Sequence, residues 1–219
     1  MTKITSLCVF CGSKTGSDPA HEAAAERLGR LMAERGTTLI YGGGRIGLMG
    51  VLSDAALDCG GQVIGVIPEF LQDMEVGNDA VSKMIITGSM HERKTRMFQL
   101  SDGFVVLPGG LGTLDETLEI VTWKQLRIHS KPVVVLNSGG YWSALADLVR
   151  STIDGGFAHP AVEDLFTMVD GADDVFEALA AQPEPDEVVL TSHLRELLLP
   201  TRTRPLRLQR NQALILPED

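Results

Sequence analysis

Three cations stand at the start of a predicted helix, where the helix dipole opposes them. Ser89-Met90-His91-Glu92 reads as an N-terminal capping box. It places Arg93 and Lys94 just inside the helix, with Arg96 following. Positive charge in a first turn costs from a few tenths of a kcal/mol to about 1 kcal/mol, so folding does not ask for it there. An anion drawn to the same helix end would explain these residues; a solvated basic surface is the plainer alternative. Arginine is also the side chain whose planar fork suits bidentate contact with phosphate.

A second segment, Pro108-Gly109-Gly110-Leu111-Gly112-Thr113-Leu114-Asp115-Glu116, combines backbone freedom with acid groups. Thr113-Leu114-Asp115-Glu116 fits the T-x-x-E capping box, which predicts a helix from Leu114 in which the Glu116 carboxylate merely caps. Against that reading, Gly109-Gly110-Leu111-Gly112 sets the helix mouth among free amides, and Glu119 lies one turn beyond Glu116. Two acids beside an anion-binding turn are costly unless one meets a hydroxyl or a developing positive charge. On spacing alone, capping and catalysis stand level.

Two further polar loops follow predicted strands: Cys11-Gly12-Ser13-Lys14, and Gly42-Gly43-Gly44-Arg45-Ile46-Gly47. Glycine lets backbone amides approach an anion, and in an open α/β sheet ligands bind beyond the carboxyl ends of the strands. Ser13 and Gly43 are the binding candidates in these two loops. The first strand is not followed by G-x-G-x-x-G, and G-x-x-x-x-G-K-[ST] is absent, so NAD binding and P-loop chemistry lose support. Cys8-Val9-Phe10-Cys11 is a C-x-x-C on a strand, where residues three apart face opposite ways and cannot easily chelate or pair. The histidines His21, His91, His129, His159 and His193 are scattered, and no metal site or cofactor is expected.

The elements that must position these groups alternate regularly. Strands are predicted at Ser6–Phe10, Thr38–Tyr41, Val63–Ile67, Met84–Thr87, Gly103–Leu107, Val133–Leu136 and Phe166–Val169. Between them lie helical patterns. The first is opened by Asp18-Pro19, carries Ala20, Ala24, Leu28 and Leu31 on its apolar face, and is closed by Gly36. Others are predicted near Ile46–Asp58, from Ser89, at Leu114–Ile128, at Tyr141–Ile153 and at Ala172–Ala181. Strands separated by helices imply a mostly parallel sheet covered on both faces, a Rossmann-like three-layer α/β sandwich. Residues 1–181 read as one domain. After Gln182-Pro183-Glu184-Pro185 the composition shifts, and 182–219 reads as a C-terminal extension with a short apolar piece (Val188–Leu190), a helix (Leu194–Leu199) and a basic stretch from Arg202 to Arg210.

Composition narrows the partners. A net charge of −10 repels nucleic acid and anionic membrane in bulk, so any phosphate ester must be held by local features. No apolar run approaches the ~20 residues of a membrane span, and the N-terminus lacks a secretory h-region. Three cysteines do not suggest a disulfide framework, and the expected setting is the reducing cytoplasm.

Met90-His91-Glu92-Arg93-Lys94 followed by Pro108-Gly109-Gly110-Leu111-Gly112-Thr113-Leu114-Asp115-Glu116 resembles the paired signature of the LOG ("lonely guy") family, the cytokinin riboside 5′-monophosphate phosphoribohydrolases. The family's older label is possible lysine decarboxylase. The resemblance runs over roughly residues 5–180 and includes Phe10-Cys11-Gly12-Ser13 and Tyr41-Gly42-Gly43-Gly44. It implies cleavage of the N-glycosidic bond of an N6-modified AMP to free base and ribose 5-phosphate, with Arg93 and Glu116 as the catalytic pair. It further implies that Glu75, Lys94, Gly110, Leu111, Gly112, Thr113, Leu114, Asp115 and Thr122 contact substrate, and that the protein is a homodimer. Position 115 is Asp where the plant pattern often has Glu, and the segment around Glu75 differs, which bears on the preferred base. Three rival readings stand beside it: a broader AMP nucleosidase, a non-enzymatic nucleotide or cofactor carrier, and a lysine decarboxylase. The last would need pyridoxal phosphate on a Schiff-base lysine, for which none of Lys3, Lys14, Lys83, Lys94, Lys124 and Lys131 has an evident setting.

Overall fold

The computed structural model describes residues 4–72, 77–186 and 188–189. Seven strands form one sheet: β1 (Ser6–Phe10), β2 (Thr38–Tyr41), β3 (Val63–Pro68), β4 (Lys83–Thr87), β5 (Gly103–Val106), β6 (Val133–Leu136) and β7 (Thr167–Val169). Their order is β4-β3-β2-β1-β5-β6-β7, and every neighbouring pair is parallel. The crossovers carry α1 (Pro19–Glu34), α2 (Gly47–Asp58), the short α3 (Glu69–Gln72), α4 (Met90–Leu100), α5 (Leu111–Gln125) and α6 (Ser143–Asp154); α7 (Val175–Ala181) follows β7.

Alternate residues of the same strands feed two cores, as the two-residue side-chain period requires. Leu7, Val9, Leu39, Tyr41, Val105 and Val134 pack with Leu28 and Met32 of α1, Leu52 of α2 and Leu179 of α7. Cys8, Phe10, Ile40, Phe104, Val106 and Val135 pack on the other face with Met97 of α4, Ile120 of α5 and Leu145 of α6. This is the expected three-layer Rossmann-like sandwich. Cys8 and Cys11 pack toward opposite faces, and neither is joined in a disulfide. Among the described residues, no helix is long and apolar enough to cross a membrane, and no group of His, Cys, Asp and Glu could hold a metal ion.

Local signals held where a side chain could act on its own backbone. Asp18 caps α1 by accepting from the Ala20 amide at 2.9 Å, and Gly36 leaves the helix at φ +66°. The buried stripe of α1, however, is His21, Ala25, Leu28, Leu31 and Met32. Ala20 is exposed, because His21 takes the inward position and donates or accepts at Ser138 Oγ, 3.0 Å away.

Beyond the last core helix, the Gln182 side chain bonds the Val133 amide and carbonyl and Thr167 Oγ1, tying β6 to β7. Val189 packs on Val162 and Leu165. The proposed helix Leu194–Leu199 and the basic stretch lie outside the described residues.

Candidate active site

The chain leaves β1 toward one edge of the sheet through β2, β3 and β4, then returns to β1's other side with β5. The loops after β1 and β5 therefore diverge, opening a crevice at the carboxyl ends. Three backbone bonds fix its rim: Gly12 N donates to Pro108 O at 3.0 Å, Leu107 N to Phe10 O at 2.9 Å, and Leu48 N to Gly12 O at 3.1 Å. Between these loops lies a cavity of about 290 Å³.

One wall is the first turns of α5, and here the expected capping box fails. The helix begins at Leu111, with Gly110 as N-cap in extended geometry and no side-chain cap. Thr113 is the third helical residue, buried at 3% exposure, and its carbonyl accepts from Thr117 Oγ1 at 2.6 Å. The cause is close packing. A Cβ on Gly109 would run into the Thr113 hydroxyl, so Thr113 lies beneath the glycine turn and cannot turn outward to cap. Glu116 is thus well inside the helix, beyond reach of an N-cap amide, and it lines the cavity. The amides of Leu111, Gly112 and Thr113, which have no intrahelical acceptor, are available to an anion.

The floor is Arg93. The box that opens its helix does form: Ser89 Oγ accepts from the Glu92 amide at 3.2 Å, and Glu92 Oε2 accepts from the Gly88 amide at 2.8 Å. Arg93 is only 5% exposed. Its Nε donates to Val66 O at 3.0 Å and its Nη2 to Gly42 O at 2.9 Å. A carbonyl within β3 and another just beyond β2 therefore anchor this cation, which is neither a solvated surface charge nor dependent on an anion alone. Arg93 and Glu116 line the same cavity. Beneath them, burial pushes the Cys8 thiol well up, and the Glu116 charge adds to the rise, so this sulfur stays protonated and unreactive.

Of the other expected site residues, Ser13, Gly110, Leu111, Gly112, Thr113 and Asp115 also line the cavity. Gly42 lines it where Gly43 was expected; Gly43 sits lower, at φ +81°, against Ile67 and Met84. Leu114 packs into the core beneath α5. Thr122 is exposed, farther along α5 and away from the cavity lining. Lys94 also lies off the lining: its Nζ meets Asp115 Oδ2 at 3.1 Å and Glu119 Oε2 at 3.0 Å. Burial would lower its pKa, but hydrogen bonds to Glu119 and Asp115 outweigh that and raise it. Glu75 lies outside the described residues.

Sequence reasoning missed the apolar wall of Met49, Leu71, Met90 and Met97. Nothing in their identity separates them from ordinary core positions. It also missed Tyr141, whose Oη donates to Gly109 O at 2.6 Å and whose ring meets His21 edge-on at 5.3 Å. That pair walls a second cavity, of about 380 Å³, across the Gly12–Gly110 rim.

An anion seat of free amides, a buried guanidinium and a half-buried carboxylate around one crevice suit a phosphorylated, hydroxyl-rich ligand. The model of the family described as "Possible lysine decarboxylase" matches residues 49–179. Cytokinin riboside 5′-monophosphate phosphoribohydrolase LOG5 of Arabidopsis thaliana is 41% identical over 85% of this chain and 82% of its own length. LOG7 of the same plant and same activity name is 40% identical over 83% and 84%. Among solved structures, the molybdenum cofactor carrier protein of Chlamydomonas reinhardtii superposes with a TM-score of 0.60 at 25% identity, over 81% of this chain and 97% of that one.

Proposed function

The chain belongs to the LOG family of phosphoribohydrolases, and from that membership we propose that it hydrolyses N6-modified adenosine 5′-monophosphates to free base and ribose 5-phosphate. The observation that carries this reading is the meeting of Arg93 and Glu116 in one cavity beside the uncapped amides of α5. The substrate phosphate sits on the amides of Gly110–Thr113, where the helix dipole and the glycines favour it. Ribose then reaches Glu116. Cleavage of the C1′–N9 bond passes through an oxocarbenium-like state; Glu116 stabilises that charge and draws the proton from the attacking water, whose oxygen ends on C1′. The base leaves with the bonding electrons and takes up one proton from solvent, while Glu116 gives the proton drawn from the attacking water back to solvent, so that one water is consumed overall. Arg93, rigidly held, fixes the ribose-phosphate against the carboxylate. The methionine- and leucine-rich wall offers an apolar surface to a substituted base. Glu75 and Thr122 remain assigned to substrate by family resemblance alone.

Exposed Leu118 on α5 and Leu126 at its C-cap, with Ile128 beyond at 59% exposure, offer apolar surface that a second copy of the chain would cover, giving a homodimer measurable by light scattering. The expected setting is the cytoplasm.

The test is a substrate panel of AMP and isopentenyl-AMP, read by release of ribose 5-phosphate. Glu116→Gln and Arg93→Ala should each lower turnover at least about 100-fold while the protein stays folded. Unchanged turnover in both would refute the assignment. Equal rates on AMP would broaden it to a general nucleotide nucleosidase. The likeness to a cofactor carrier favours a second reading, binding without hydrolysis; tight ligand retention with no product would establish that one instead.

A further inference from the structure

We infer that Lys94 is a positioning residue, an ionic strut that holds α4 against α5 and so sets the spacing of Arg93 and Glu116. This rests on the function proposed above. Successive side chains on a helix diverge by about 100°, so Lys94 cannot follow Arg93 to the cavity floor. Arg93 turns to the strand ends, and Lys94 turns to α5. Its two partners there flank the proposed acid: Asp115 is the chain neighbour of Glu116, and Glu119 lies one turn beyond it. Each end of the strut is thus one residue or one turn from a group that would do chemistry.

The strut is built rather than incidental. The Lys94 side chain is 11% exposed and that of Glu119 25%, so neither is a loose surface charge, and one ammonium serves two carboxylates. A pair this enclosed is screened less by salt than an exposed one. One turn farther from the site, Phe98 of α4 meets Trp123 of α5 edge-on at 5.2 Å. Lys94–Glu119 and Phe98–Trp123 are therefore successive rungs between parallel helices, each four residues after the last. The apolar rung sets the distance at the far end, and the ionic rung sets it beside the cavity. Without Lys94, Asp115 and Glu119 would stand as like charges next to Glu116, and the first turns of α5 would lose their tie to α4.

The experiment compares Lys94→Met, Lys94→Arg, Glu119→Gln and the Lys94→Met/Glu119→Gln double variant, using AMP and isopentenyl-AMP. Lys94→Met should lower kcat about 10-fold with KM changed less than about 3-fold, since a misplaced pair impairs reaction more than binding. Lys94→Arg should recover most of the rate. The double variant should be no slower than Lys94→Met alone, because both changes cut one tie. A KM raised about 10-fold at unchanged kcat, with effects of the two changes multiplying, would overturn the inference and return Lys94 to direct substrate contact. Amide hydrogen exchange over residues 114–119 decides the matter without turnover. The strut predicts exchange there about 10-fold faster in Lys94→Met and near normal in Lys94→Arg. If the unaltered protein hydrolyses neither nucleotide, the proposed function fails while exchange still judges the strut; unchanged exchange in Lys94→Met overturns it. Should Lys94→Met not fold, the Asp115→Asn/Glu119→Gln double variant removes the charge of both partners of Lys94, and wild-type rate and exchange in that variant would equally refute the strut.

Discussion

Gly42→Ala tests how closely the cavity floor depends on one missing methyl. Gly42 follows β2, is buried, and has no left-handed φ, so alanine fits its backbone without strain. The conflict is with side chains. A Cβ there would overlap Arg93 Nη2 outright and would lie 3.0 Å from Met49 Sδ and 3.4 Å from Arg93 Cζ. To restore contact distance the guanidinium must withdraw by about 1 Å, and a displacement of that size costs on the order of 100-fold in rate. It also gives up the 2.9 Å bond to Gly42 O. Charge-assisted bonds of this kind are worth about 1.5–3 kcal/mol, so a comparable loss in unfolding free energy should accompany the change. The assay is kcat/KM for isopentenyl-AMP beside urea unfolding, in Gly42→Ala, Arg93→Ala and the double variant. If the methyl acts through Arg93, the double variant should be as slow as Arg93→Ala and no slower. Near-wild-type activity in Gly42→Ala, or losses that multiply in the double variant, would refute the reasoning.

Two further perturbations probe the frame around the site. Burial drives the pKa of Lys124, at the far end of α5, from its ordinary 10.5 to about 8, with the Glu184 charge opposing the fall. Between those values the unfolded chain holds more protons than the folded one, so stability from this group rises with pH, and its full cost is borne below pH 8. Lys124→Met should thus gain up to about 3 kcal/mol at pH 7 and lose that advantage by pH 10 to 11; urea unfolding at both ends checks it, and an equal gap would exclude the burial argument. Tyr141→Phe removes the 2.6 Å bond to Gly109 O without touching the cavity lined by Arg93 and Glu116. Initial-rate kinetics should show KM for nucleotides raised about 3- to 10-fold with kcat little changed, since the amide seat loosens while the reacting groups stay. A fall in kcat alone would assign Tyr141 a different part.

The architecture was open to reading from sequence because the central strands bury both faces and appear as apolar runs, such as Val133–Leu136 or residues 7–10, while the edge strand β4 leaves Lys83 and Ile86 exposed. Caps at Asp18 and Ser89 were legible for a related reason: the capping oxygen acts within three residues of itself. The site was legible in part. Arg93 stood out as a cation set against a helix dipole, and Glu116 as an acid behind a glycine turn, but spacing left Glu116 divided between cap and catalyst. What moved it to the cavity was a long-range fact, the packing of Thr113 under Gly109 that starts α5 at Leu111.

Sequence by itself determined the element order, the parallel three-layer class and the residue types brought to the carboxyl ends of β1 and β5. These follow from periodicity and chain-local hydrogen bonds. Only the tertiary structure decided which way neighbouring charges point: Arg93 to strand carbonyls, Lys94 to two carboxylates on another helix. It alone showed that Met49, a core residue, and Leu71 also wall the cavity, and distinguished Gly42 from Gly43 as the glycine beside Arg93. Side-chain direction depends on groups dozens of residues away, and that information resides in how the elements pack.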